Sequence, residues 1–511
     1  MTRATTPDVD VLVIGAGLSG IDMAAHLAMH CPERTFTILE RRQAIGGTWD
    51  VFRYPGIRCD SDMYTLGYSF RPWLKDDVIV RGEDVLAYIQ ATADEFGITP
   101  HIRFGERVSD AAWSTQTAMW TITSVDEATG HERVTTARFV VGCAGFYSHD
   151  EAHAPDLPGL SRFQGDVVHP QFWDPSYDWS GKRVLLVGSG ATAVTMAPAM
   201  AQDASQVFVL QRSPSYILSV PEVDPTSRAL KRVLPDDVVA TLTRYRNTAL
   251  QLGLYRASKR WPGLVRAAIL ARVRAAVGPD VDMRHFTPRY DPWDERLCVV
   301  PDGDLFRAVR SGAVTMITDT IDTFTETGVQ LTSGDHVETD LVVTATGLQL
   351  QLLGNVEATV DGEPVDPATS LTYKGVMVSD VPNFAMVFGY VNVSWTRKAD
   401  LAAAFVCRVL NHMAATGHQQ VTPRGGDGMA TDEPFVPLRS GYIERSRHLM
   451  PRQGRRAPWR NHNNVFVDTL VLRHLPVQDR HLRFTNGASH PTARRRLPGL
   501  AASVARVVGQ R

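Results

Sequence analysis

The chain predicts an α/β fold built from two dinucleotide-binding, Rossmann-like units, one inserted into the other. Three observations carry that prediction. Gly15-Ala16-Gly17-Leu18-Ser19-Gly20 follows the apolar run Val9–Ile14. Gly188-Ser189-Gly190-Ala191-Thr192-Ala193 follows a second apolar run at 184–187. Each is a Gly-x-Gly-x-x-Gly/Ala turn where a strand feeds a helix, the geometry that seats a pyrophosphate on helix N–H groups. Third, two similar strand endings, 139–145 and 341–347, finish in small residues and close the two units. Such endings let backbone approach a ligand or cross between units.

The two turns lead to different ribose readers. In the first unit the next strand, 36–39, runs into Glu40, twenty residues past Gly20. A carboxylate there accepts hydrogen bonds from both ribose hydroxyls of an adenosine. In the second unit the strand at 207–210 runs into Gln211, Arg212 and Ser213. A neutral residue with a guanidinium beside it suits a 2′-phosphate. The pair so implied is FAD and NADPH. Gly15, Gly17, Gly20 and Glu40 would hold the first. Gly188, Ser189, Gly190, Ala191 and Thr192 would hold the second, with Arg212 and Ser213 reading its phosphate.

The order of these signals sets the domain reading: an FAD-binding unit from 1–145 and 348–511, and an NADPH-binding unit from 146–347. Inside the second, about 225–278 is rich in Arg, Ala and Leu at helical spacing and reads as a helical insertion. Its basic residues (Arg244, Arg246, Arg256, Lys259, Arg260, Arg266, Arg272, Arg274) suit a solvated face or a peripheral membrane contact. Arg494-Arg495-Arg496 followed by 497–508 reads as a short basic amphipathic helix.

Bulk properties narrow the class. A chain of 511 residues needs two or three domains. A net charge of −2 argues against a nucleic-acid binder. The five cysteines, Cys31, Cys59, Cys143, Cys298 and Cys407, are scattered and form no Cys-x-x-Cys. That pattern argues against a disulfide framework or a cysteine metal site and suits a reducing cytoplasm. No signal peptide and no membrane span are evident. Oligomeric state is open.

Two further stretches bear on chemistry. Gly46-Gly47-Thr48-Trp49 precedes Tyr54-Pro55-Gly56 and Asp60. Paired glycines let backbone lie flat against a ring, and a rigid Pro-Gly turn fixes the loop that presents Asp60. Before the second glycine turn, Phe163-x-Gly165-x-x-x-His169-x-x-x-Trp173 is followed by Asp174.

That last pattern resembles the fingerprint of type I Baeyer–Villiger monooxygenases at every fixed position, and the stretch from Gly46 to Asp60 resembles the family's other signature. N- and S-oxidising flavin monooxygenases carry a related fingerprint, usually with Tyr where this chain has Trp173. His285-Phe286-Thr287-Pro288-Arg289-Tyr290 and Val393-Ser394-Trp395-Thr396-Arg397-Lys398 are similar to the ethionamide-activating branch of mycobacteria. The resemblance implies NADPH-driven, FAD-dependent insertion of oxygen from O2 beside a ketone carbonyl, giving an ester or lactone, with sulfides or thioamides as further substrates. The alternative is an N/S-oxidising enzyme without ketone activity.

The family's active-site arginine maps onto Arg296 within Asp294-Glu295-Arg296-Leu297, and its orienting carboxylate onto Asp60. A fixed guanidinium stabilises anionic species without changing its own protonation. Phe163, Gly165, His169 and Trp173 are expected to couple the two units. Glu295 stands where many relatives carry Lys, which leaves Arg212 and Ser213 as the main phosphate readers. Pocket walls are expected from the loops at 390–395 and 434–459.

Overall fold

The computed structural model describes residues 6–486 apart from Arg296 and Asp427. The basic stretch at 494–508 therefore lies outside the described residues.

A large mixed sheet is built first. Strands β1 (Val9–Ile14), β2 (Phe36–Glu40), β3 (Ile102–Phe104), β4 (Glu106–Ser114), β5 (Met119–Asp126) and β6 (Glu132–Gly142) run in the order β4-β5-β6-β1-β2-β3. β1 lies parallel to β2 and β6. Val11, Leu12 and Val13 are all completely buried, as a central parallel strand covered on both faces requires. Each such side chain contributes about 1.5–3 kcal/mol of burial.

The chain then leaves this sheet and builds a second one. Its strands are β7 (Asp166–Val168), β8 (Arg183–Val187), β9 (Gln206–Gln211), β10 (Val314–Thr318) and β11 (Leu341–Val343), ordered β10-β9-β8-β11-β7 and all parallel. Afterwards β12 (Glu357–Val360) pairs with β4, and β13 (Phe384–Met386) pairs with β6 over Val140–Gly142. β5 occupies the earlier half of β6, so one long strand serves two partners along one edge. The outward and return crossings run antiparallel to each other, Tyr147–Ala152 against Leu348–Leu350.

Helices complete both layers. α1 (Leu18–His30) follows the first glycine turn and α2 (Ala191–Met200) the second. α3 (Pro225–Leu230), α4 (Asp236–Arg260) and α5 (Pro262–Val277) fill the segment between β9 and β10, and α6 (Asp304–Arg310) follows them. Pro262 at the start of α5 is well placed, because its missing N–H is an orphan there anyway. α7 (Thr396–Thr416) packs on α1 through a nearly all-buried first half.

A charged knot ties these helices together. The buried Asp400 carboxylate on α7 accepts from Ser69 Oγ at 2.8 Å and meets His26 Nε2 of α1 at 3.0 Å. Arg244 of α4 reaches it at 3.4 Å and Arg473 at 3.3 Å. Removing Asp400 would leave the buried Arg244 guanidinium without this carboxylate, the costly way to break such a network. All five cysteines are buried and form no disulfide. Among the described residues no helix is long and apolar enough to cross a membrane.

Candidate active site

The first glycine turn is shaped by backbone crowding. Gly15 adopts φ +100°, and a Cβ on it would lie 2.8 Å from the Cys143 carbonyl oxygen. A Cβ on Gly20 would lie 1.8 Å from the Gly15 carbonyl oxygen. α1 begins with Gly17 as its cap and no side chain satisfies the first N–H groups. They are left for an external acceptor. Gly17 bridges Gly46, and a Cβ on Gly47 would be 3.0 Å from Gly17 Cα. The two glycine segments therefore lie back to back.

Glu40 ends β2 and is buried. Its Oε2 accepts from Ala16 N–H at 2.7 Å and its Oε1 from Arg42 N–H at 2.9 Å. Burial pushes its carboxyl upward, while these N–H groups pull it down. One N–H per oxygen leaves each with further acceptor capacity. The uncapped helix, the glycine cradle and this oriented carboxylate fit the pyrophosphate and ribose of an adenine dinucleotide.

The second turn repeats the device. Gly188 has φ +144°, and a Cβ there would meet the Ala345 carbonyl oxygen at 2.3 Å. α2 starts after Gly190, again with no side-chain cap. Ser189 accepts from Ser215 Oγ at 3.3 Å. The Gln211 amide is turned inward, donating to the His285 carbonyl at 2.7 Å and to Thr318 Oγ1 at 3.0 Å. Arg212 beside it is exposed, Ser213 is half-buried, and the Arg212 charge lowers the Glu295 carboxyl that burial and Asp294 raise. A neutral, inward-facing strand end next to an exposed guanidinium fits a phosphorylated ribose.

The loop from Tyr54 to Asp60 straps one sheet to the other. The Tyr54 hydroxyl lies near the Thr192 side chain of α2, and burial pushes the phenol up to about 12. Gly56 rests on α2: a Cβ there would lie 2.6 Å from Ala199 Cβ and 3.0 Å from the Thr195 carbonyl oxygen. Arg58 donates to Asp304 at 2.5 Å, at the start of α6. Asp60, two residues on, lines the space between the sheets.

That space is a cavity of about 940 Å³. Gly15, Gly17, Glu40, Gly47, Thr48, Trp49 and Asp60 line it from one side, and Ala191 and Thr192 from the other. Gly20, Gly188, Ser189, Gly190, Arg212 and Ser213 are not in its wall. Arg296 lies outside the described residues, though its neighbour Leu297 lines the cavity.

The fingerprint residues stand apart from the cavity. Phe163 packs edge-on to Phe324, and a Cβ on Gly165 would be 2.5 Å from the Asp340 carbonyl oxygen. Trp173 is buried against Tyr177 and Trp179 in the core of the second sheet. His169 Nδ1 accepts from Gln171 N–H at 3.1 Å, and Gln171 in turn donates to the Ser148 carbonyl in the outward crossing.

Sequence reasoning missed one wall. Asn247, Leu250, Gln251 and Leu254 of α4 line the cavity at i, i+3, i+4 and i+7. Asp62 accepts from Gln251 at 2.9 Å and from Asn247 at 3.2 Å, which pins α4 to the loop carrying Asp60. The stripe was visible in the sequence, but nothing there says what it faces. Residues 390–395 line the cavity as expected, with Trp395 stacked on Phe146 at 5.1 Å and its Nε1 donating to Ser19 Oγ at 2.8 Å. No described residue of 434–459 reaches the wall; Phe435 packs behind it, against Phe388.

The flavin-binding monooxygenase-like family profile matches residues 8–415. The chain belongs to that family. This flavin monooxygenase is 48% identical over 489 residues to the FAD-containing monooxygenase MymA of Mycobacterium tuberculosis, covering 95% of this chain and 99% of MymA. It is 44% identical to the FAD-containing monooxygenase EthA of the same organism, covering 94% and 98%. Among solved structures, an oxidised steroid monooxygenase bound to NADP shares the fold with TM-score 0.73 at 24% identity, covering 94% of this chain and 100% of that one. An ε-caprolactone-bound cyclohexanone monooxygenase does so with TM-score 0.68 at 22% identity, covering 93% and 99%. The expected fold class and the expected enzyme class are both met.

Proposed function

We propose that this flavin monooxygenase binds FAD at the first glycine turn and NADPH at the second, and converts ketones to esters or lactones with O2. The observation that carries the reading is the single cavity that runs from Gly15 and Glu40, past Thr48, Trp49 and Asp60, to Thr192 on α2. One continuous space that reaches the first turn and, at Ala191 and Thr192, the end of the second is what transfer of reducing equivalents between them requires.

FAD, when bound, supplies the redox and oxygen-activating chemistry. The residues of the chain bind, orient and exclude water. Gly15, Gly17 and the free N–H groups of α1 take the pyrophosphate, and Glu40 takes the ribose. Gly47, Thr48 and Trp49 give a flat backbone wall for the ring system. Thr192 and the first turn of α2 face the same space for the nicotinamide dinucleotide, with Arg212 and Ser213 at its phosphorylated ribose. Asp60 is the carboxylate that orients Arg296, and Arg296 stabilises negative charge developing on the substrate oxygen. That pair is carried over from the family's motif. The aromatic and aliphatic wall from Phe146, Leu250, Leu254 and Trp395 favours an apolar substrate, and soft sulfides fit the same wall.

The test is a panel of linear, cyclic and aryl ketones with sulfides, scored by product and not by NADPH consumption alone. Esters or lactones support the reading. Sulfoxides or N-oxides without any ester would replace it with the N/S-oxidising alternative. Arg296→Ala should leave a folded, yellow, NADPH-oxidising protein whose ester formation falls about a hundred- to a thousandfold.

A further inference from the structure

The helical segment between β9 and β10 carries two unusual features. The first is apolar exposure. Val233, Leu242, Tyr245, Leu250, Trp261 and Leu264 are each 50–76% exposed. On α4, Leu242, Tyr245 and the exposed Ala249 fall at i, i+3 and i+7 and form one ridge. On α5, Leu264, Ala267, Ala268 and Ala271 are exposed together. Singly exposed apolar residues mean little, but a concentration of this size in one helical segment marks an interaction surface.

The second feature is charge. Residues 225–278 hold eleven Lys or Arg and only two acidic residues, whereas the whole chain is at −2. Arg256, Lys259, Arg260, Arg272 and Arg274 are exposed around the apolar residues, and the Arg260 guanidinium sits 5.6 Å from the Trp261 ring centroid. Apolar ridges edged by basic side chains with an aromatic residue at the turn are the complement of an anionic lipid surface. A protein partner would need acidic and apolar groups in matching order; a bilayer presents both everywhere.

We infer that the α4–α5 hairpin is a docking surface for anionic lipid bilayers, with Leu242, Tyr245, Trp261 and Leu264 entering the headgroup boundary and the surrounding arginines meeting lipid phosphates. Leu250 and Arg272 of the same hairpin are exposed and also belong to the cavity wall, so the hairpin borders the cavity. Docking therefore brings the cavity close to the bilayer. A consequence that rests on the ketone oxidation proposed above is that lipid-dissolved ketones are concentrated close to the cavity. The docking itself does not depend on that reading.

Flotation of the FAD-loaded protein with vesicles tests it, one set pure phosphatidylcholine and the other equimolar phosphatidylcholine and phosphatidylglycerol. Flavin absorbance reports where the folded protein travels. The wild type should float with the anionic vesicles, not with the neutral ones, and raised salt should release it. Leu242→Glu/Leu264→Glu should abolish flotation. Arg256→Glu/Arg260→Glu should weaken it by at least about fivefold per replaced residue. Should the leucine variant lose its flavin, the arginine variant decides alone, because both side chains are exposed. Absence of wild-type flotation, or flotation undiminished in the variants, overturns the proposal. Concentration-dependent self-association that the leucine variant removes, without vesicle binding, would assign the face to a second copy of the chain and also overturn it.

Discussion

Arg58 donates to Asp304 at 2.5 Å, and that contact joins the loop behind Asp60 to the start of α6 in the second sheet. Both side chains are largely shielded from water. Together with Tyr54 on Thr192 and Gly56 on Ala199, it makes the loop that presents Asp60 a strap between the sheets. Arg58→Ala leaves Asp304 partly buried without its partner, which costs about 1–3 kcal/mol. A lower melting temperature is expected, with more NADPH consumed per product formed. Unchanged melting and unchanged coupling would show that the pair is incidental.

Gly15→Ala should yield a protein that does not retain FAD. The added methyl meets the Cys143 carbonyl at 2.8 Å and the backbone is at φ +100°, where an L side chain is strained. The absorbance ratio of flavin to protein after gel filtration checks this. Full occupancy would remove the first turn from the flavin site.

Arg212→Ala should weaken NADPH binding and leave NADH nearly untouched. Loss of a charge-assisted phosphate contact is worth on the order of 1.5–3 kcal/mol, roughly ten- to a hundredfold in affinity. Glu295, whose carboxyl feels the Arg212 charge, adds a control. Glu295→Gln should strengthen NADPH binding modestly by freeing Arg212 for the phosphate. Steady-state KM values for both cofactors decide, and equal losses for NADPH and NADH would sink the assignment.

His149 lines the cavity, and burial, with Arg42 and Arg41 near it, pushes its imidazole down to about 4. In the unfolded chain it titrates near 6.5. As pH falls below about 6.5 the unfolded chain binds a proton that the folded protein refuses, so stability is lost between roughly pH 6.5 and 4. The loss is on the order of 2 kcal/mol by about pH 5. His149→Gln should flatten that part of the melting-temperature profile; an acid limb as steep as the wild type's would rule His149 out as its cause.

Signals confined to one strand, turn and helix were legible in the sequence. Gly15, Gly17, Glu40 and the second turn at Gly188 show as local patterns: the turn spacing and the strand that ends in a carboxylate lie within a few dozen residues, although the carbonyls that crowd Gly15 and Gly188 come from the distant Cys143 and Ala345. Gln211 and Arg212 were legible as a pair of types, but the inward turn of the Gln211 amide depends on His285 and Thr318, which only the folded sheet brings near. Arg58 and Asp304 are 246 residues apart, and Gln251 and Asp62 are 189 apart. No periodicity records such meetings. The stripe of Asn247, Leu250, Gln251 and Leu254 was readable as a helix face, yet its partner was set by how the segment folds back over the loop at Asp60.

The return of the chain to its first sheet has a consequence for biosynthesis. β13 fills the edge of β6 at Val140–Gly142, and α7 covers α1, so the unit that begins at Gly15 is finished by residues roughly 370 positions later. A ribosome releases the second sheet while the first still has an open strand edge and a bare helix face. Such long-range closure is slow and leaves apolar surface waiting for its cover. Nascent chains halted near residue 350 should therefore hold no flavin and should engage chaperones, and flavin capture should begin only once α7 has left the exit tunnel.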